Sequence, residues 1–421
     1  MNRFPPISFS SFVPLCIALA GTALAQQPVA TGEFARIQLT DQFRAEGASH
    51  GDFNHDGIHD IVYGPYWWEG PDFSKRHTYT DDSKVSKIKK ADGTETTIRG
   101  FKGALSNEND YSRNFLAFTH DLNGDGWSDI LILGFPGETS DWYENPQGKD
   151  GPWVRHTAID VTDGESPTFT DVTGDGKPEI VCMSRGHIGY AEFNPKQASE
   201  KWTWHNISGK GGWQRFTHGF GVGDVNGDGR LDMLEQNGWW EQPASLAGDP
   251  VWTRHEALFG NGGAQMFAYD VNGDGRNDII TSLEAHGYGL AWFEQTDDQG
   301  TAGWTKHLIV GDKPEQNPQG IRFSQMHAID LVDMDGDGLK DIVTGKRFWA
   351  HGPGGDKEPE AAPVLYWFKL QRTGGQAAFV GHLIDDASGV GTQVQAADIN
   401  GDKKPDVVVG NKRGAFVFLR K

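Results

Sequence analysis

Residues 333–341 read DMDGDGLKD, and this short stretch decides the fold of the chain. Side-chain oxygens stand at its positions one, three and five, glycine stands at position six, and a carboxylate returns at position nine. Calcium takes six to eight oxygen ligands, and alternating Asp and Asn side chains in a tight loop supply them. The stretch therefore predicts a calcium-binding loop.

Almost the same string occurs seven times, at 52–60, 121–129, 171–179, 224–232, 270–278, 333–341 and 398–406, and such regular recurrence is typical of a repeat architecture. The third copy has Thr173 and Glu179 at ligand positions, and the seventh has Lys403 in place of glycine. The alternative to calcium binding is that the seven copies are acidic turns that hold no metal. The predicted calcium ligands, at positions one, three, five and nine, are Asp52, Asn54, Asp56, Asp60, Asp121, Asn123, Asp125, Asp129, Asp171, Thr173, Asp175, Glu179, Asp224, Asn226, Asp228, Asp232, Asp270, Asn272, Asp274, Asp278, Asp333, Asp335, Asp337, Asp341, Asp398, Asn400, Asp402 and Asp406.

An EF-hand is the obvious candidate for such a loop, but the sequence argues against it. An EF-hand needs Glu at position twelve and a helix on each side. Only the fourth copy has that glutamate, Glu235, and short β-branched runs such as DIVYG and DVVVG follow the loops instead. We therefore expect each loop to connect two strands.

Each repeat predicts four strands, here called A to D. A glycine-rich strand A leads into the loop and a β-branched strand B leads out. An aromatic strand C such as YWWEG and a strand D such as WVRH follow. Seven such repeats predict an all-β fold, a seven-bladed β-propeller of four-stranded blades. Phe34–Leu39 resembles a lone D strand and the chain ends on a C strand, so the N-terminal strand is expected to complete the last blade.

Six histidines recur at one place of the D strand and are expected to serve the blade rather than a ligand, because a function rarely repeats in every blade. They are His77, His156, His205, His255, His307 and His382.

Residues 1–25 have an early arginine, an apolar run and an Ala23-Leu24-Ala25 end, as in a secretory signal peptide cleaved near Ala25. A retained N-terminal anchor is the alternative. Residues 26–421 are then expected to form a single propeller domain in a secreted or periplasmic protein. With Cys16 removed, Cys182 remains without a disulfide partner. The formal charge of −20 argues against nucleic acid, and no later segment is apolar enough for stable membrane insertion.

The repeats resemble the FG-GAP/VCBS-type repeats found in integrin α-subunit propellers and in many secreted bacterial proteins. The resemblance rests on the Asp-x-Asn-x-Asp-Gly-x-x-Asp loop and spans the chain after the leader. It implies a propeller with calcium between strands A and B. The chain more distantly resembles the propeller part of aldos-2-ulose dehydratase, a family of keto-sugar elimination, which implies zinc in the propeller cleft. That family also has cupin domains, of which this sequence carries no counterpart.

Residues that differ between the repeats on the face opposite to the loops indicate a site, because the blades do not require them. Six residues before the first Asp of each loop, the chain carries Glu46, Phe115, Glu165, His218, Ala264, His327 and Thr392. His218 and His327, together with His286 after a B strand, are candidate zinc ligands, since zinc favours imidazole nitrogens. Histidines that merely form hydrogen bonds in a wet channel are the alternative.

Other polar residues near the same mouth complete the predicted site. A base would remove a proton beside a sugar carbonyl and a cation would stabilise the resulting enolate. The candidate catalytic residues are Glu284, Lys346, Arg347 and His351. The predicted ligand-binding residues are Arg113, Arg185, Gln265, Gln325 and Gln393.

Two functions follow from this arrangement. The first is a zinc-dependent lyase or dehydratase acting on keto-sugars. The second is a non-catalytic, calcium-stabilised module that binds a glycan or a protein, with aromatic residues such as Trp67, Phe348 or Trp349 stacking on sugar rings. A purely structural scaffold is a third option. In the first two, carbohydrate is the expected partner.

Overall fold

The computed structural model describes residues 32–90, 92–149, 151–298 and 301–421. In these ranges the chain is almost entirely β-structure, interrupted by two single 3-10 turns at Pro195–Gln197 and Pro314–Gln316. No helix in the same ranges is long and apolar enough to cross a membrane. The predicted signal peptide lies outside the described residues.

The strands of the first half are β1 (Phe34–Thr40), β2 (Ser49–Gly51), β3 (Asp60–Tyr63), β4 (Tyr66–Trp68), β5 (Arg76–Thr78), β6 (Val85–Lys89), β7 (Glu95–Arg99), β8 (Leu116–His120), β9 (Asp129–Leu133), β10 (Glu138–Glu144), β11 (Val154–Thr170), β12 (Glu179–Ser184), β13 (His187–Glu192) and β14 (Thr203–Asn206). Those of the second half are β15 (Phe220–Gly223), β16 (Asp232–Glu235), β17 (Gly238–Glu241), β18 (Thr253–Glu256), β19 (Gln265–Tyr269), β20 (Asp278–Ser282), β21 (Leu290–Asp298), β22 (Thr301–Val310), β23 (Ile329–Val332), β24 (Asp341–Gly345), β25 (Leu365–Thr373), β26 (Gln376–Asp385), β27 (Val394–Ala397), β28 (Asp406–Asn411) and β29 (Gly414–Arg420).

Apart from the separate hairpin β6–β7 and a short parallel contact between β15 and β19, these strands pair antiparallel in four-stranded units. Units 1, 4, 5 and 6 are β2–β5, β15–β18, β19–β22 and β23–β26. Strand β11 serves two units, since its residues 154–162 pair with β10 and residues 163–170 pair with β12. Unit 2 is thus β8–β10 with the first part of β11, and unit 3 is the second part with β12–β14. Unit 7 contains β27–β29 and β1, which pairs antiparallel with β29 along its length.

Every one of the seven loops connects the first two strands of a unit, from β2 to β3 in unit 1 through to β27 to β28 in unit 7. The prediction that the loops join strands is confirmed. The second strand of a unit is buried along nearly its whole length, as in β9 and β24, because neighbouring units cover both of its faces. This double burial explains why these strands read as continuous β-branched runs without alternation.

The ninth residue of each loop is a buried carboxylate, and in every loop except the third it joins separate parts of its unit. In unit 2, Oδ2 of Asp129 accepts a hydrogen bond from the Leu122 backbone at 2.9 Å, and Oδ1 accepts one from the Asn145 backbone at 2.8 Å. The side chain therefore joins the start of its loop to the end of the third strand. The same two bonds recur at Asp232, Asp278, Asp341 and Asp406. Burial raises the pKa of Asp129 to about 7, since it disfavours the charged form.

The repeated D-strand histidines stack on the aromatic residue of the third strand. Trp67 and His77 have ring centroids 3.9 Å apart, and Trp239 and His255 lie 4.1 Å apart. In units 1, 2, 4 and 5 the outer nitrogen also lies within hydrogen-bond distance of a glutamate, as in the 2.8 Å contact between His255 and Glu241. These histidines therefore serve packing, as the repetition predicts.

Candidate metal centre

Glu165, His218, His286 and His327 come together in the described structure, and one donor atom from each lies within 4.8 Å of the others. Three of them occupy one position in different units, six residues before the first Asp of the loop. Glu165 lies in the second part of β11, while His218 and His327 directly precede β15 and β23. His286 follows β20 in the next turn of unit 5. Four separate units thus contribute to a single cluster.

The distances within the cluster are those of a shared ligand position. Nε2 of His218 and Nε2 of His327 lie 3.2 Å apart, and Oε2 of Glu165 lies 3.4 Å and 3.1 Å from them. Donors bound tetrahedrally to zinc at 2.0–2.1 Å stand about 3.3 Å from each other. The donor set of imidazole nitrogens and one carboxylate therefore fits a zinc-like ion, which prefers nitrogen, whereas calcium prefers oxygen.

The electrostatics of the cluster favour the neutral form of His286 and His327 and the ionised form of Glu165. Burial, reinforced by the neighbouring cations, lowers the pKa of His286 to about 2 and that of His327 to about 3. Burial alone would raise the pKa of the Glu165 carboxyl, but hydrogen bonds with His218 and His327 hold it well below its usual range. Neutral imidazole and ionised carboxylate are the forms that bind a metal.

Two cations and a second carboxylate lie next to the cluster. Nη1 of Arg347 is 3.6 Å from Oε2 of Glu165, and its Nη2 is 3.1 Å from Oε2 of Glu46. Nζ of Lys412 lies 3.7 Å from the other oxygen of Glu46. All four of these side chains are buried. Lys412 follows β28 at the same offset from the ninth loop residue as Arg347 follows β24.

A cavity of about 400 Å³ opens beside the cluster. Its wall includes Glu165, His218, His286 and Arg347, and its remaining lining is largely aromatic. Phe135 links the aromatic wall, with ring centroids 5.4 Å from Tyr111 and 5.8 Å from Phe216. Tyr111 is 37% exposed and Phe216 is 43% exposed, so these rings form an apolar rim at the opening.

The structure places the four predicted catalytic residues differently. Arg347 and His351 line the cavity, and the His351 ring lies 4.4 Å from that of His286. Lys346 points away, because successive side chains of an extended chain face opposite sides. Its Nζ donates to Ser324 at 2.8 Å and to the Lys357 carbonyl at 3.1 Å. Glu284 is exposed and outside the cluster, so the carboxylate of the site is Glu165 instead.

Two of the predicted ligand-binding glutamines are structural. The Gln393 amide accepts from the Ala117 backbone at 3.0 Å and donates to its carbonyl at 2.8 Å. The Gln265 amide donates to the Thr392 carbonyl and accepts from the Ile329 backbone. Both therefore join first strands of different units, because the buried backbone there needs hydrogen-bond partners.

The other three predicted ligand-binding residues have separate positions. Gln325 borders the cluster, with Oε1 3.4 Å from Nδ1 of His286, and its carbonyl accepts from the Arg347 backbone. Arg113 is exposed and pairs with Glu138 at 3.6 Å. Arg185 is exposed beside Asp160, also at 3.6 Å. Neither arginine lines the cavity.

The aromatic residues proposed to stack on sugars are wrong for that role. Trp67, Phe348 and Trp349 are all buried. Trp67 packs on His77, and the rings of the other two stack on each other with centroids 4.5 Å apart. The rim residues Tyr111 and Phe216 are the aromatic groups that solvent reaches. Sequence reasoning missed them because they lie in irregular segments without a repeat pattern.

Sequence reasoning also missed Lys412 and gave Glu165 no ligand role. Both could have been found from offsets, since Glu165 shares the register of His218 and His327, and Lys412 shares that of Arg347.

Two of the loops form acidic clusters as well. The donor atoms of Asp171, Asp175 and Glu179 lie within 4.8 Å of one another, and so do those of the cluster Asp333, Asp335 and Asp341.

Comparison with known proteins supports the repeat assignment. The model of the FG-GAP-like repeat matches residues 121–182, 171–234 and 333–409, so this chain contains FG-GAP-like repeats. Rhamnogalacturonan lyase YesW has a similar solved structure, with 14% identity and a TM-score of 0.42 over 92% of this chain and 76% of that one. The V. cholerae biofilm matrix protein Bap1 has 17% identity and a TM-score of 0.30 over 62% of this chain and 38% of that one. At these scores neither likeness carries an argument about function. No curated protein sequence matches this chain.

Proposed function

We propose that the protein is a closed seven-bladed β-propeller with a zinc-dependent lyase or dehydratase site for keto-sugars at the mouth opposite the loops. The closed ring is supported by the pairing of β1 with β29 and by contacts between the last and first units. The backbone N–H of Thr392 in unit 7 donates to the Glu46 carbonyl in unit 1 at 2.8 Å. A ring without open edges also avoids the exposed strand that invites aggregation.

The observation that carries the enzymatic proposal is the convergence of three imidazoles and one carboxylate on a single point beside a cavity. Such groups are costly to bury without a partner, and no requirement of the repeated strands places them there. Glu165, His218, His286 and His327 would hold the metal. Zinc bound there would act as a Lewis acid toward a carbonyl oxygen of the sugar.

The residues around the cluster suit the remaining steps of an elimination. His351 is half exposed at the cavity wall, so its imidazole would accept the proton from the carbon beside the carbonyl. Arg347 would stabilise the negative charge that develops as this C–H bond breaks. The β-hydroxyl would then take up this proton from His351 and leave as water, which completes the elimination. The aromatic rim would hold the sugar ring and limit the access of water.

We also propose that the loops bind calcium and that residues 1–25 direct the chain to the periplasm or the exterior. The acidic clusters at Asp171 and Asp333 support the first part, because an isolated buried carboxylate is unfavourable and a cation offsets this cost. The ninth-position oxygens keep further lone pairs beyond their backbone hydrogen bonds, and these are available to an ion.

Zinc analysis of three purified proteins tests the metal centre. We expect one zinc per chain in the wild type and none in the double variant His218→Ala/His327→Ala. His255→Ala is the matched control, since His255 stacks on Trp239 and does not line the cavity, and it should keep its zinc. With keto-sugars, the zinc-loaded wild type should generate ultraviolet absorbance from an enone. A wild type without zinc, or a double variant that retains it, would refute the site.

A non-catalytic glycan-binding module is the second candidate, and the exposed rim of Tyr111 and Phe216 favours it. In that case sugars would bind and shift tryptophan fluorescence without any change in their own absorbance. Tyr111→Ala and Phe216→Ala would then weaken binding, whereas loss of zinc would leave it unchanged. The two candidates thus differ in whether the metal matters.

A further inference from the structure

The buried charges around the cluster balance one another before any metal is added. Glu46 and Glu165 contribute two negative charges, and Arg347 and Lys412 contribute two positive charges. Burial lowers the pKa of Lys412 to about 8, so its ammonium group remains largely protonated at neutral pH. Buried ions are tolerated when they are paired in this way.

A divalent metal would disturb this balance. Histidines that bind a metal do so as neutral imidazoles, so they bring no compensating charge. The ion would therefore leave two uncompensated positive charges in a site of low dielectric constant, where they are far stronger than in water. An anionic group on the ligand is the simplest means of restoring neutrality, because the protein supplies no further buried carboxylate at the cavity wall among its described residues.

We propose that the metal-loaded cavity takes an acidic sugar, in which a carboxylate accompanies the carbonyl, as one residue of an oligosaccharide. This inference rests on the proposed metal centre. The carboxylate would lie beside Arg347, which lines the cavity. Nε of Arg347 is buried and has no hydrogen-bond partner within the described ranges, so one N–H donor of its guanidinium is unpaired while Nη1 and Nη2 face Glu165 and Glu46. An arginine fork matches the geometry of a carboxylate.

Depressions on both sides of the cavity provide room for the neighbouring sugar rings of an oligosaccharide. One of about 480 Å³ shares Phe216 and His218 with the cavity and continues past Trp213 and Arg254. Another of about 460 Å³ lies across the segment from Tyr111 to Phe115, where Arg113 and Asn114 form part of its wall. Oδ1 of Asn114 is buried and has no partner in the part of the chain that is described. Polar groups and exposed rings in adjoining depressions suit successive sugar rings.

Calorimetry with matched sugars tests the inference. The probes are trisaccharides of galacturonic, glucuronic and mannuronic acid, each beside its methyl ester, which has the same shape and no charge. For the protein loaded with calcium and zinc, we expect at least one acid to bind tenfold more tightly than its ester and tenfold more tightly than its monosaccharide. In His218→Ala/His327→Ala, loaded with calcium alone, the preference for the acid should fall below threefold.

The role of Arg347 is tested with a conservative variant. Arg347→Lys keeps the buried charge but removes the fork, so it should weaken binding of the acid tenfold and leave binding of the ester unchanged. Arg185→Lys, at an arginine side chain that is 67% exposed and pairs with Asp160, is the matched control and should change neither.

The outcomes separate this inference from the proposed function. A protein that contains zinc but binds acid and ester equally, or binds neither, overturns the acidic substrate and leaves the metal centre intact. Equal binding of monosaccharide and trisaccharide overturns the oligosaccharide. A protein without zinc refutes the metal centre itself, and this result is visible in the metal analysis before any sugar is added.

Discussion

The two faces of the molecule follow opposite rules. On the loop face, six of the seven segments place the ninth-position aspartate in the same pair of backbone hydrogen bonds. On the other face, the residues six positions before each loop differ from unit to unit: Glu165, His218 and His327 contact one another, and Arg347 connects Glu46 to Glu165. Repetition therefore marks residues that build each unit, and departures from it mark residues that meet between units.

This rule has an exception that sharpens it. Gln265 and Gln393 also break the repeat, yet their amides bind backbone groups of neighbouring units. Departure from the repeat is thus necessary for a site residue but not sufficient. What separates the two kinds is whether the polar atoms of a side chain are satisfied by backbone or face the cavity.

Removal of calcium is expected to lower the free energy of unfolding more than any other change, and it acts on the loop face alone. Each loop occupied at a hundred times its Kd would lose about 2.7 kcal/mol of stabilisation. Urea unfolding followed by tryptophan fluorescence, with 1 mM calcium or with excess chelator, measures the sum. His218→Ala/His327→Ala should show the same shift, since its loops are unaltered. Coincident curves for the wild type would mean that the loops do not bind calcium.

Alanine substitutions at the ninth and fifth loop positions should lower the free energy of unfolding by different amounts and for different reasons. In chelator, Asp129→Ala should lower the free energy of unfolding by about 4 kcal/mol, because two buried backbone N–H groups lose their acceptors. Asp125→Ala, at an exposed position of the same loop, should cost about 1 kcal/mol under those conditions. Denaturant titration of both variants measures the difference. Equal losses would contradict a structural role for the ninth carboxylate.

The smallest expected effect concerns the loop that departs most from the repeat. Lys403 has φ of 68°, a left-handed conformation that glycine adopts at this position in the other six loops. Lys403→Gly should therefore raise the free energy of unfolding by about 1 kcal/mol. Lys404→Gly, one residue later, is the control and should give no gain. A loss of stability in Lys403→Gly would show that its side chain has another role.

The sequence predicted more of the fold than of the candidate site. Spacing alone predicted the strands around each loop, the packing role of the D-strand histidines and the pairing of the first strand with the last. It also predicted that His218, His286 and His327 would meet, since equal offsets in different repeats place residues at equal heights. It chose Glu284 over Glu165, however, because proximity along the chain to His286 is a poor guide to distance between units.

The sequence by itself determined everything that depends on local spacing: the loops, the strand order and the register that faces the loop-free mouth. Only the tertiary structure decided which departures from the repeat touch. In the tertiary structure Arg347 lines the cavity and Lys346 points away from it. Lys412 lies beside Glu46, although more than three hundred residues separate them in the chain. The physical reason is that local geometry repeats with the sequence, whereas the balance of buried charge depends on side chains that several units bring together.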